Sequence, residues 1–186
     1  FDQEDYQSRT QFTDAEILRT NLASVVLQCL DLNLGDPLGF PFVDPPEAQL
    51  VRDGIHQLRE LDLVSPKGRL TPLGRRVARL PLDPRIGRIL LDAEKRCVFW
   101  EVSVVASALS IQDPREPGFS TETVIDPSSE FVTLLNLWNW VEESRNALSH
   151  SKFRQWCLAE GLNYNRLREW REVHRQTRLS FRGQMH

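Results

Sequence analysis

Ile17, Leu18, Leu22, Val25, Val26, Cys29 and Leu30 recur on a 3.6-residue stripe, and this spacing predicts a first amphipathic helix. Thr13-Asp14-Ala15-Glu16 ahead of it reads as a capping box, in which the two outer side chains satisfy free backbone N–H groups. Gly35 and Pro37 end the helix. Gly39-Phe40-Pro41-Phe42-Val43-Asp44-Pro45-Pro46 cannot continue one, because its prolines lack donors and push preceding residues toward extended geometry. It reads as a stiff connector. A second helix then carries Leu50, Val51, Ile55, Leu58 and Leu61 on one face. Leu63-Val64-Ser65 and Arg69-Leu70 flank the turn Pro66-Lys67-Gly68 and predict a small β-hairpin. Thr71 followed by Pro72 marks the next helix start. Two helices, a hairpin and a further helix make a winged-helix-like unit.

The second half of the chain is helical throughout by pattern. Asp83-Pro84 repeats the cap-plus-proline start, with Ile86, Ile89, Leu90 and Ala93 as the apolar face. Val98 to Ile111 is almost entirely apolar or small, which predicts a helix buried nearly all round at the centre of a second core. Asp113 to Ser129 is the one long irregular stretch and reads as a mobile loop. Phe131, Leu134, Leu135, Trp138 and Val141 mark another amphipathic helix, Phe153, Trp156 and Cys157 a short one, and Leu162, Leu167 and Trp170 the last. Trp138 and Trp170 fall on apolar stripes, while Trp140 lies off its stripe, bridging a neighbour or exposed. The fold class is mainly α, a winged helix followed by a helical bundle.

Composition narrows the setting. The 186 residues are 40% hydrophobic and 26% charged, enough for one or two small domains. No apolar run is long enough for a membrane span, and Phe1 to Thr10 is too acidic for a signal peptide. Cys29, Cys97 and Cys157 include no C-x-x-C pair and leave one thiol over in any pairing, which fits a reducing, cytoplasmic compartment. A first residue that is Phe rather than Met reads as a piece of a longer protein. The net charge of −3 hides a gradient. Residues 1 to 50 hold nine acids against two arginines, whereas residues 145 to 186 hold nine bases against three acids. An anionic partner at the basic end accounts for such a polarity.

Catalytic motifs are absent: there is no G-x-S-x-G, no H-E-x-x-H and no metal-ligand spacing among His56, His150, His174 and His186. No catalytic or metal-binding residue is assigned. Gly68 to Arg75 is the nearest approach to a phosphate loop, but its glycine spacing is wrong, Arg replaces Lys, and Pro72 removes an N–H. Glu142-Glu143 reads as a solvated face, since neighbours on a helix diverge by about 100°. His174 reads as a core histidine held by a hydrogen bond.

The sharpest local signal is on the last helix. Arg168, Arg171, Arg175 and Arg178 recur at +3, +4 and +3, within a sector of about 80° beside the Leu167/Trp170/His174 face. Four guanidinium groups along one edge can meet successive phosphates. The alternative is a solvated edge paired with Glu169 and Glu172, or one docked on an acidic neighbour. A second basic group, Lys67, Arg69, Arg75, Arg76 and Arg79, then Arg85 and Arg88, covers the expected wing and the residues after it. Arg88 can equally pair with Asp92 one turn on.

Thr13 to Gln28, Phe40 to Pro46, Leu70-Thr71-Pro72-Leu73-Gly74-Arg75, Leu80-Pro81-Leu82-Asp83-Pro84-Arg85, Ser107 to Glu116, Leu137-Trp138-Asn139 and Leu162 to Trp170 occur in an order that resembles DEAH-box RNA helicases of the bacterial HrpA type. The likeness is to the segment C-terminal to the motor and covers essentially the whole chain. It implies a winged-helix domain over residues 14–82 and a helical-bundle, ratchet-like domain over 83–186, with 1–13 as the tail of the second RecA-like motor domain. It further implies single-stranded RNA and the RecA-like motor domains of the same chain as partners, 3′ to 5′ translocation, and ATP with Mg²⁺ as cofactors of the parent protein. Carried over by motif, Gln112, Asp113, Arg115, Asn163 and Arg166 become RNA-contacting or loop-positioning residues.

Two departures stand out. Pro117-Gly118 comes after Glu116 where the family usually has another Arg-Pro and a longer charged insertion. The Walker A lysine motif, the DEAH box and the arginine-finger motif are also missing, so the chain alone is expected not to hydrolyse ATP. Two other classes remain open: a winged-helix DNA-binding regulator, and a protein-interaction scaffold whose arginines serve only in salt bridges.

Overall fold

The computed structural model describes residues 22–119 and 121–183; the capping box at Thr13 and the expected motor tail lie outside them. Within those residues the protein is mainly helical, and it divides into two compact units, Phe1–Ala78 and Arg79–His186.

In the first unit, α1 (Leu22–Asp31) packs on α2 (Ala48–Glu60) and α3 (Pro72–Ala78). The buried face of α1 is Leu22, Ala23, Val26, Leu27 and Cys29, so Ala23 and Leu27 replace Val25 and Leu30 of the expected stripe. Gly54 sits where α2 crosses α1. A Cβ there would lie 3.0 Å from the Ala23 nitrogen, so the missing side chain sets how closely the helices approach. The connector up to Pro46 is irregular, as its prolines require, with Phe40 and Phe42 edge to face at 4.7 Å.

At the expected β-hairpin the turn forms with one antiparallel bridge and no extended strands. A single antiparallel bridge joins Val64 to Leu70, with the Ser65 N–H donating to the Arg69 carbonyl at 2.8 Å and Thr71 N–H to Leu63 O at 3.0 Å. The ladder stops on both sides for local reasons. The Leu63 and Val64 N–H groups are taken by the Leu58 carbonyl at the end of α2, and Pro72 has no N–H to offer. Thr71 is the hinge of this arrangement. Its hydroxyl donates to the Asp62 carbonyl at 2.7 Å and accepts from Gly74 N–H at 3.0 Å, capping α3 as the Thr-Pro pair suggests.

The second unit contains α4 (Pro84–Lys95), α5 (Phe99–Leu109), α6 (Glu130–Ala147), α7 (His150–Ala159) and α8 (Tyr164–Arg182). Asp83 caps α4 through Arg85 N–H at 2.9 Å, with Pro84 at the first position. α5 packs against α4, α6 and α8 and is the central helix, with Ser103, Val104, Ala106, Ser107 and Ala108 buried. It is not enclosed all round: Val98, Trp100 and Leu109 are exposed at 41%, 44% and 56%. An apolar run with no polar face gives no hint of which side will be left open. The core is built from Leu134, Leu137, Trp138 and Val141 of α6, Phe153 and Cys157 of α7, and Leu167 and Trp170 of α8.

The stretch from Asp113 to Ser129 is irregular but tied down. Val124 is buried, its carbonyl accepts from Asn136 Nδ2 at 3.2 Å, and the Asp126 N–H donates to Thr133 Oγ1 at 2.9 Å. Asp126 in turn accepts from the backbone N–H groups of Ser128 and Ser129 at 2.8 and 2.9 Å. The composition of this stretch signals irregular backbone; only the fold shows how many of its polar groups find partners.

Candidate nucleic-acid interface

The four arginines of the α8 edge lie along an open cleft of about 1040 Å³, with Asn139, Glu142 and Glu143 of α6 on the far wall and Trp100 of α5 at one end. Their surroundings differ. Arg168 is exposed near the start of α8, its guanidinium 5.9 Å from the centre of the Tyr164 ring. Arg171 is half-buried and its Nε donates to Glu142 on α6 at 2.5 Å. Arg175 donates to Glu172 through Nε at 2.9 Å and NH2 at 2.6 Å, both groups being exposed. Arg178 lies over the face of Trp100, 4.9 Å from its centre.

Glu142 is therefore not a solvated acid. It clamps α6 to α8 by receiving Arg171, with Arg145 at 3.6 Å on its other side. The pairing spans 29 residues, beyond any helix-local rule. Glu172, by contrast, pairs one turn along its own helix, and the Arg175 guanidinium, then the Gln176 amide, hold its carboxyl down to about 2. Arg88 pairs with Asp92 at 2.6 Å in the same local way.

Asp113, Arg115, Asn163 and Arg166 are brought together into one network. Arg115 donates to Asp113 at 2.6 Å and to Glu130 at 2.5 Å, which holds Asp113 below the usual carboxylate range and raises the guanidinium. Asn163 caps α8 by accepting from the N–H groups of Asn165 and Arg166, both at 3.1 Å. Its own Nδ2 donates to Glu116 at 2.8 Å. Arg166 reaches the Asp113 carbonyl at 3.0 Å, and the Asn163 N–H donates to the Pro114 carbonyl at 2.8 Å. These contacts fasten the 113–116 segment to the start of α8. Gln112 lies exposed beside the network.

The second basic group is divided between the two units. Lys67 and Arg69 are exposed on the turn and Arg75 on α3, Arg76 is half-buried, and Arg79 is exposed at the start of the second unit. The Gly68–Arg75 turn does not fit a nucleotide phosphate. The N–H groups of Gly68, Arg69, Thr71, Gly74 and Arg75 already donate to Ser65 or to Leu63 and Thr71 oxygens. No group of His, Cys, Asp and Glu among the described residues could hold a metal ion, and no helix there is long and apolar enough to cross a membrane.

Beneath the cleft is an aromatic cluster that sequence pattern shows only in part. His174 is buried, edge-on to Trp138 at 4.6 Å and to Trp100 at 4.9 Å. Ser103 Oγ donates to the Trp100 carbonyl at 2.8 Å and lies 3.1 Å from His174 Nε2. With the hydroxyl proton so used, Nε2–H donates to Ser103. Burial, with Arg178 adding, pushes His174 down to about 4 from 6.5. Protonation thus favours the unfolded chain: His174 costs nothing above pH 6.5, and stability falls by up to about 1.4 kcal/mol per pH unit below it, levelling near pH 4. A melting series from pH 7.5 to 4.5 should show this slope, and His174→Gln should flatten it; an unchanged slope in the variant would assign it to other groups. Trp140, off its stripe, packs on Trp156 at 4.6 Å.

The family described as "Helicase associated domain (HA2), winged-helix" matches residues 54–82, a span that includes α3 and its Thr71 cap. The chain is 42% identical over 96% of its length to "ATP-dependent RNA helicase HrpA" of Escherichia coli (strain K12), and 41% identical over 98% to its homolog in Haemophilus influenzae. It is 34% identical over 92% to "Probable ATP-dependent RNA helicase DHX34" of Homo sapiens. Nearly the whole chain is thus similar to one segment of ATP-dependent RNA helicases. As a helicase-associated segment it spans about 15% of the length of the two bacterial relatives. The arginine edge, the 113–116 network and the turn before α3 all lie within the aligned region.

Proposed function

We propose that this helicase-associated segment guides single-stranded RNA and couples it to RecA-like motor domains of the same protein. Residues 14–82 serve as a winged-helix domain and 83–186 as a ratchet-like bundle. ATP with Mg²⁺ is used by the parent protein, with 3′ to 5′ movement, and no catalytic residue is assigned to this segment. The observation that carries the reading is the run of Arg168, Arg171, Arg175 and Arg178 along one open cleft that ends in the exposed ring of Trp100. Such an edge meets a phosphate backbone without reading bases. Arg115, Asn163 and Arg166 act as positioning residues for the segment that carries Gln112.

The pair to test is Arg175→Glu with Arg178→Glu, which spares the Arg171–Glu142 clamp. In a fluorescence anisotropy titration of a short oligouridine, the double variant should lose affinity by at least roughly tenfold at low salt. Unchanged affinity in a folded variant would remove the edge from the binding surface.

One observation favours the scaffold reading: Arg171 and Arg175 are already engaged by Glu142 and Glu172. Absence of RNA binding at low salt would select it. The DNA-regulator reading is disfavoured by α3, which has only seven residues to present to a groove.

A further inference from the structure

A second pocket, of about 370 Å³, adjoins the cleft at Arg168 and Arg171, where α8 meets the end of α6 and the start of α7. Arg145, Arg168, Arg171 and His150 line it, with Leu148, Phe153, Tyr164 and Leu167 as apolar wall, and no carboxylate faces it. The large cleft is different in kind, since four carboxylates (Glu142, Glu143, Glu169 and Glu172) interleave its arginines. Glu142 touches the small pocket only from behind, against Arg171 at 2.5 Å and Arg145 at 3.6 Å. Arg145 and Arg171 share that one acid, and Arg168 adds a third guanidinium to the lining, so the three cations outnumber the one acid that touches them.

The pocket is also built rather than incidental. Tyr164 is pinned by its hydroxyl, 2.8 Å from His150 Nε2, and its ring is flanked by Arg154 at 5.7 Å and Arg168 at 5.9 Å. Arg145 Nε makes no hydrogen bond, Glu142 standing 3.6 Å from it. The ring face attracts Arg154 and Arg168, and an anion between Arg145 and Arg168 would relieve their mutual repulsion.

We propose that this pocket binds a phosphate group, held by Arg145 and Arg168 with Arg171 behind them and His150 at the rim. Guanidinium forks suit the tetrahedral oxygens of a phosphate. The source is either the backbone of a bound strand or a free nucleoside phosphate, whose base would meet the Tyr164 and Phe153 walls. The pocket shares Arg168 and Arg171 with the cleft and does not depend on its Arg175/Arg178 end.

The test tracks the His150 and Tyr164 ring resonances of the whole chain during separate titrations with inorganic phosphate, a nucleoside 5′-monophosphate and a short oligouridine. Saturable shifts are expected, weakened by roughly tenfold or more in Arg145→Gln/Arg168→Gln. Arg182→Gln, on the other end of α8, should leave them unchanged. Circular dichroism melting confirms that each variant is folded. Tighter binding of the oligonucleotide than of the monophosphate assigns the phosphate to a strand; the reverse assigns it to a free nucleotide. No saturable shift with any of the three probes, or shifts unaltered in the double variant, would overturn the pocket. Oligouridine and phosphate binding both kept in Arg145→Gln/Arg168→Gln, with oligouridine binding lost in Arg175→Glu/Arg178→Glu, would overturn it too, while leaving the cleft reading intact. Phosphate binding without any RNA binding would do the opposite.

Discussion

Trp170→Ala should cost about 3 to 5 kcal/mol and leave the second unit largely unfolded at physiological temperature. Trp170 is 1% exposed at the centre of the helical core, 5.0 Å from Trp138 ring to ring. Its indole N–H also donates to the Val104 carbonyl at 3.0 Å, a bond that joins α8 to α5. Truncation removes the ring, opens a cavity bounded by rigid helices and loses that cross-helix bond, so three penalties fall on one position. All five tryptophans lie between Trp100 and Trp170, so intrinsic fluorescence reports this unit. Chemical denaturation monitored by fluorescence should show the transition shifted to much lower denaturant; a shift worth under about 1 kcal/mol would mean that the core relaxes around the gap.

Gly74→Ala should be nearly as damaging in the first unit. A Cβ at this position would overlap the Leu63 carbonyl oxygen and stand 2.9 Å from Leu70 Cδ2. The carbonyl cannot swing aside, because Thr71 N–H donates to it at 3.0 Å and holds the turn against α3. Replacing a helical glycine by alanine ordinarily gains some stability through the unfolded chain, by about 0.4 to 1 kcal/mol. The overlap outweighs this, and a net loss of about 3 kcal/mol is expected. Amide exchange at Val26, Leu58 and Val77 should accelerate by about 100-fold, the equivalent of that loss. Unchanged protection would show that α3 can pull back from the turn without cost.

Local chemistry was readable in the chain. Thr71-Pro72 and Asp83-Pro84 start helices where they stand, because an N-cap hydroxyl or carboxylate and a donor-free proline act within one turn. His174 sits in the core with one hydrogen bond, as its place on the Leu167/Trp170 face suggests. What could not be read depends on distant partners. Glu142 looks solvated until α8 places Arg171 beside it, and Trp100 looks buried until α5 is packed with one side open. The hairpin stops at one bridge for a mixed reason: the turn is right, but α2 and Pro72 consume the donors that a longer ladder would need. For the arginine edge, periodicity gave the face; only the fold separates the members paired with acids from Arg178, which lies over an aromatic ring.

The central claim is that this segment grips a nucleic-acid backbone by charge. It is tested most directly by titrating labelled oligouridine with the folded chain across a series of salt concentrations. The account predicts binding at low salt, with the logarithm of affinity falling linearly against that of salt by about 0.7 for each phosphate neutralised, a slope of roughly −2 to −3. No binding at low salt, or an affinity indifferent to salt, would contradict it.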